Sequence, residues 1–131
     1  MNNQIDILLI DDDDINNFIS KELIELYVPQ ARVSETVSAK DALELIKGNI
    51  TLHKKLPDII LLDINMPVMN GWDFVEAFEK LDGDELAKIN LYIYTSSVYY
   101  KDIDKAKSYK SVKNIYSKPL TESMLKEICF A

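Results

Sequence analysis

The chain has 131 residues, 47% hydrophobic and 28% charged, which is enough for one domain with a sizeable core and too little for a second. A formal net charge of -7 argues against a nucleic-acid surface, which needs a basic patch to neutralise phosphates, and against docking onto anionic membranes. No stretch approaches the roughly 20 apolar residues of a membrane helix, the N-terminus lacks the basic start of a signal peptide, and the single cysteine, Cys129, excludes an internal disulfide and suits a reducing cytoplasm.

Ile5–Ile10 reads as a buried strand. Behind it Ile15, Phe18, Ile19, Leu23 and Leu26 recur at the 3, 4 spacing of a single helix face. Pro29 closes that helix, because proline cannot continue the hydrogen-bond ladder. A weaker strand is expected over residues 31–37. Ser38 is then a good N-cap, with Asp41 placed to favour the positive end of the next helix. Ala42, Leu45 and Ile46 form the apolar side of that helix, and Gly48 or Asn49 is expected to end it.

Ile59–Leu62 is a continuous apolar run, as in a central parallel strand covered on both faces. A turn-rich loop, NMPVMNG, leads into a helix with Phe74, Ala77, Phe78 and Leu81 on one side. Residues 91–95 form a fourth strand. The helical segment after it, roughly 101–109, offers only Ile103, Ala106 and Tyr109 to a core. Val112–Ser117 is a fifth strand, and Thr121 caps a last helix carrying Met124, Leu125 and Ile128. Five strand-then-helix units imply an α/β fold, a doubly wound parallel sheet with helices on both faces.

In such folds the site lies beyond the carboxyl ends of the strands. The first strand ends in Asp11, Asp12, Asp13 and Asp14, the third in Asp63, the fourth in Thr95 and Ser96, and the fifth in Ser117 and Lys118. Crowded carboxylates repel one another and favour a cation, and hard oxygen ligands suit Mg²⁺. A hydroxyl and a lysine on the same edge can hold the oxygens of a transferred phosphoryl group. Singly, each residue has a structural explanation as a cap, a solvated charge or a packing residue. Their joint placement at successive strand ends is what those explanations do not predict.

The segments LLIDDDD, IILLDINMPVMNGWDF, YIYTSS and YSKPL together resemble the receiver domain of two-component response regulators, over essentially the whole chain. The resemblance implies a single receiver domain, residues 1–131, with a (βα)5 sheet in the flavodoxin-like order 2-1-3-4-5. It implies Asp63 as phosphoacceptor and Asp11, Asp12, Asp63 and the Asn65 backbone carbonyl around Mg²⁺, with Mn²⁺ able to substitute. Thr95, Ser96 and Lys118 then meet the phosphoryl oxygens, and Asn65 and Ser97 tune hydrolysis of the acyl phosphate. Met66, Pro67 and Gly71 shape the acceptor loop, and Pro119 is expected to follow a cis bond. The implied donor is a histidine kinase or a histidine phosphotransfer protein.

Two places depart from the family pattern or add to it. The aromatic that many receivers carry three residues before the lysine is Ile115 here, and the tyrosine is displaced to Tyr116, which turns it to the opposite sheet face. Lys101, Lys105, Lys107, Lys110, Lys113 and Lys118 face only Asp102 and Asp104; Lys101, Lys105 and Lys107, with Tyr116, are the candidate face for a downstream protein. Trp72 reads as a partly buried anchor, and His53 lies in a polar loop without the surroundings of a phosphohistidine.

No output domain is expected after the last helix. The expectation is a stand-alone cytoplasmic signalling protein, a monomer or a weak phosphorylation-dependent dimer, without a nucleic-acid or membrane partner. A haloacid-dehalogenase-type phosphohydrolase, with Asp11 as nucleophile and Asp13, Thr95 and Lys118 in support, is the competing enzyme reading. The short chain, the missing cap insertion and the LDINMPVMNG segment weigh against it.

Overall fold

A computed structural model describes residues 4–81, 83–96 and 98–130. The elements in chain order are β1 (Ile5–Ile10), α1 (Asp14–Tyr27), β2 (Ala31–Thr36), α2 (Ala39–Thr51), β3 (Ile59–Leu62) and α3 (Gly71–Glu79). A 3-10 turn over Asp84–Lys88, which the sequence pattern did not announce, leads to β4 (Asn90–Thr95), α4 (Tyr100–Lys107), β5 (Val112–Ser117) and α5 (Glu122–Phe130). All strand pairs are parallel, in the order β2-β1-β3-β4-β5, as expected. None of the helices among the described residues is long and apolar enough to cross a membrane.

The core lies in two layers because alternate strand residues point to opposite faces. Leu8, Ile10, Ile60, Leu62, Leu91 and Ile93 pack against α2 and α3. Ile7, Leu9, Ile59, Leu61, Tyr92 and Tyr94 pack against α1 and α5. The central strand β3 is buried along its whole length, which explains why its sequence is apolar throughout rather than alternating.

Helix α1 exists where the apolar spacing put it, but it is turned the other way. Ile15, Phe18 and Leu26 are 72%, 62% and 67% exposed, and Ile19 is exposed too. The buried residues are Asn17, Ser20 and Ile24. Polar anchors fix this orientation: the Asn17 side-chain amide donates to the Asp11 carbonyl at 2.9 Å, and Ser20 bonds the Tyr94 hydroxyl at 3.1 Å. Apolar contact on that face comes from Ile24, Val28 and the half-buried Leu23.

Helix α2 corrects two further expectations. It buries Ala39, Ala42, Leu43 and Ile46, a regular 3, 4, 7 face, and leaves Leu45 exposed. It also runs through Gly48 to Thr51. The left-handed residue that follows the helix is His53, with φ 54°, so Gly48 does not serve as the stop. Ser38 does cap it, accepting from the Asp41 amide at 3.0 Å. Helix α4 begins one residue earlier and ends two residues earlier than expected, and Thr121 caps α5 through the Met124 amide at 3.2 Å.

Candidate functional site

Four strand ends converge on one edge of the sheet. Asp11 and Asp63 sit one residue past β1 and β3, and the ladder runs on through them: the Asp63 amide donates to the Ile10 carbonyl at 2.9 Å, and the Asp11 amide to Thr36 at 3.2 Å. Thr95 is the last residue of β4. Lys118 follows β5, with its amide on the Thr95 carbonyl at 2.8 Å. The backbone therefore fixes where each side chain starts.

The side chains meet around Asp63. Its Oδ1 accepts from the Thr95 hydroxyl at 3.0 Å and the Asn65 amide at 3.1 Å, and its Oδ2 accepts from Lys118 Nζ at 3.3 Å. The Asn65 side-chain amide reaches Thr95 Oγ1 at 3.2 Å. Lys118 Nζ also bonds Asp11 Oδ2, while Asp11 Oδ1 accepts from the Asp13 amide at 2.9 Å. Asp11, Asp63 and Thr95 are buried and Asp12 is exposed. One carboxylate oxygen from each of Asp11, Asp12 and Asp63 lies within 4.8 Å of the others.

Asp13, expected within this acidic cluster, is occupied elsewhere. It is the N-cap of α1, accepting from the Ile15 and Asn16 amides at 2.9 and 3.2 Å. Capping satisfies amide groups that the first helical turn leaves unpaired.

Electrostatically the site is under-compensated. Burial is the largest influence on Asp11 and lifts its carboxyl above the usual value, only partly offset by the bond to Lys118. Burial also acts most strongly on Lys118, in the depressing direction, yet the bonds and charges of Asp11 and Asp63 together outweigh it and leave the ammonium above the ordinary lysine range. Three carboxylates against one ammonium leave two negative charges. Three hard oxygen donors at that spacing, with waters to complete the shell, fit a divalent cation such as Mg²⁺.

The loop after Asp63 is held by close packing. The Gly71 amide donates to the Ile64 carbonyl at 3.2 Å, and Asn70 and Asp73 close a reciprocal capping box at the start of α3. Met66 is buried, Pro67 is exposed, and Val68 is fully exposed at φ 69°, an unusual conformation for a β-branched residue. Lys118-Pro119 is a cis peptide bond.

The remaining expected residues fall outside this cluster. Ser96 is exposed just beyond Thr95, and Ser97 lies outside the described residues. Lys101, Lys105 and Lys107 are exposed on α4, with Lys105 Nζ 5.1 Å from the centre of the Trp72 ring. Trp72 is half-buried and stacked on Tyr109, ring centroids 5.8 Å apart. Tyr116 points away from these lysines: it packs on Tyr92 at 5.7 Å and its hydroxyl donates to Glu127 of α5 at 3.2 Å.

The family model described as response regulator receiver domain matches residues 7–129. A two-component response regulator from Cytophaga hutchinsonii is similar over 95% of this chain and 94% of its own, with a TM-score of 0.86 and 31% identity. A response regulator receiver protein from Dyadobacter fermentans is similar over 94% of this chain and 96% of its own, with a TM-score of 0.81 and 26% identity. Among curated proteins, the autoinducer 1 sensor kinase/phosphatase LuxN of Vibrio campbellii is 32% identical over 83 residues, which is 62% of this chain. That aligned stretch is only 9% of the relative's length.

Proposed function

The chain belongs to the response regulator receiver domains of two-component systems, and we propose on that premise that Asp63 accepts a phosphoryl group from a phosphohistidine donor, a histidine kinase or a histidine phosphotransfer protein. The observation that carries this reading is the convergence of Asp11, Asp12, Asp63, Thr95 and Lys118 on one sheet edge. An Asp63 carboxylate oxygen bonds to phosphorus as the donor's N–P bond breaks and its electron pair returns to the imidazole. Asp11, Asp12, Asp63 and the Asn65 carbonyl would hold Mg²⁺, which when bound would neutralise charge on acceptor and donor. Lys118 and the Thr95 hydroxyl, both already on Asp63, take up phosphoryl oxygens, with Ser96 next to Thr95 in the chain.

Hydrolysis of the acyl phosphate needs a water at the phosphorus. Asn65 and Ser97 are small and polar, so water reaches the group, and moderate or fast dephosphorylation is the expected behaviour; a phosphoaspartate stable for many hours excludes it. The phosphorylated form then binds a protein partner through the lysine-rich α4, where Lys101, Lys105 and Lys107 present the charge. Charge reversal at Lys105 and Lys107 that leaves partner binding unaffected removes that surface from the proposal.

The central test is labelling with acetyl phosphate and Mg²⁺, followed by mapping of the labelled residue. Label at Asp63, lost in Asp63→Asn, supports the receiver chemistry. Label at Asp11 instead supports a hydrolase of the haloacid-dehalogenase type.

A further inference from the structure

One buried group beside the site is not used by the chemistry above. Tyr94 precedes Thr95 on β4, is almost fully buried and turns toward α1 and α5. Its hydroxyl bonds Ser20 of α1 at 3.1 Å and accepts from the Leu120 amide at 3.1 Å. Its ring lies under the Lys118 ammonium, with Nζ 5.5 Å from the centroid. A buried tyrosine hydroxyl needs partners, but nothing in packing requires them to come from these two segments.

The segments matter because of what they carry. Ser20 belongs to the helix that starts straight after Asp11 and Asp12, and Leu120 is two residues past Lys118. One side chain on β4 thus ties together α1 and the segment that follows β5. An aromatic face within about 6 Å of an ammonium also attracts it without donating or accepting a hydrogen bond. That leaves the three donors of Lys118 for oxygen atoms, while limiting where the long side chain can swing.

We propose that Tyr94 is a positioning residue for phosphoryl transfer: its ring is the platform that holds Lys118 over Asp63, and its hydroxyl fixes that platform to α1 and to the segment after Lys118. This inference rests on the receiver reading and adds to it a residue outside the reacting set. A tyrosine that only filled the core would act on stability and leave the chemistry of Lys118 untouched.

The test is a double-mutant cycle on the full chain, reading the rate of Asp63 labelling by acetyl phosphate at saturating Mg²⁺. Tyr94→Leu alone is expected to slow labelling by about three- to thirty-fold. In Lys118→Met, which has no ammonium to hold, adding Tyr94→Leu is expected to change the rate no further. Equal losses in both backgrounds, or no loss in either, overturn the proposal. If Tyr94→Leu does not fold, Tyr94→Phe and Ser20→Ala carry the cycle instead. Both remove the Ser20–Tyr94 bond while keeping a ring under Lys118, and Tyr94→Phe also removes the acceptor of the Leu120 amide, so both are expected to slow labelling less than ring loss and to be non-additive with each other. Additive effects refute the shared tether. Weakened Mg²⁺ binding in the Tyr94 variants also overturns the proposal, because it points to collapse of the whole site. Absence of label in the wild-type chain brings down the receiver reading, and the role of Tyr94 with it.

Discussion

Replacing Gly71 by alanine is expected to destabilise the fold and slow labelling of Asp63 together. A Cβ at Gly71 meets the Asp63 carbonyl oxygen at 2.6 Å, Ile64 Cα at 2.6 Å and Ile64 Cγ2 at 3.0 Å. The first two are backbone atoms of the acceptor strand's end, so neither can rotate aside; either α3 or the Asp63 backbone has to move. Forcing one methyl group into packed surroundings costs about 1–3 kcal/mol, and the better helix propensity of alanine returns at most about 1 kcal/mol. Taking a mid-range cost of about 2 kcal/mol less a return of up to about 1 kcal/mol, the expected net loss is about 1–2 kcal/mol, at a few degrees in Tm per kcal/mol for a domain of this size. Gly48→Ala is the matched control. It lies inside α2 with nothing within 4 Å of an added Cβ, and the same substitution there is expected to stabilise by about 0.5–1 kcal/mol. Urea unfolding followed by circular dichroism measures both variants, with the labelling rate read in parallel. A Gly71→Ala protein as stable as wild type, or less stable with an unchanged labelling rate, refutes the argument that α3 is pressed against the acceptor's backbone.

Three further outcomes follow from the same structure. Phe18→Ser on the exposed face of α1 is expected to change stability by no more than about 0.5 kcal/mol, whereas Ile24→Ala costs about 2–5 kcal/mol; the reverse ranking in urea unfolding means that α1 is turned inward after all. Mg²⁺ at 100 times its Kd is expected to stabilise the chain by about 2.7 kcal/mol, and thermal unfolding of Asp12→Asn, which alters an exposed donor, is expected to lose most of that gain. Burial raises the hydroxyls of Tyr92 and Tyr94, so the native state holds their protons more tightly than the unfolded chain does. Above pH of about 10 the unfolded chain binds fewer protons, ∂ΔG/∂pH is negative, and the stability present below that pH falls as pH rises further; a urea midpoint that stays level from about pH 9 to about pH 11 contradicts this.

How much of this was legible in the sequence depended on the kind of signal. Strand ends were readable because they combine an apolar run with an abrupt polar residue, and Asp11, Asp63, Thr95 and Lys118 all sit at such edges. The face of α1 was not readable. A 3, 4 apolar spacing identifies a stripe but not its direction, and here the inward direction was decided by Asn17 bonding back to the Asp11 carbonyl and Ser20 bonding Tyr94, far along the chain. Polar residues are the last that composition nominates for a core. For the same reason nothing in the sequence singled out Tyr94, whose partners come from α1 and from the segment after β5. Asp13 shows a related limit: four aspartates in a row look equivalent, yet the turn into α1 makes one of them a cap.

The position of Tyr116 shows how one irregularity can redirect a strand. Val112 pairs with Leu91, but Tyr92 pairs with Asn114, so β5 carries one extra residue at Lys113. Strict alternation from Val112, which packs on the α2 and α3 side, puts Tyr116 on that same side. The bulge resets the count. Val112 and Ile115, three apart, therefore share a face, and Tyr116 pairs with Tyr94 and packs among the residues facing α1 and α5. Counting back from Lys118 places Tyr116 correctly, since the bulge lies upstream of that interval; counting forward from Val112 does not. The Ile115 side chain cannot donate or accept a hydrogen bond, and the Tyr116 hydroxyl already bonds Glu127. Among the described residues, neither Ile115 nor Tyr116 is therefore placed for an aromatic swing between Thr95 and α4. The aromatic contact made just after α4, Tyr109 on Trp72, runs to the helix that starts at Gly71, the residue packed against the Asp63 carbonyl.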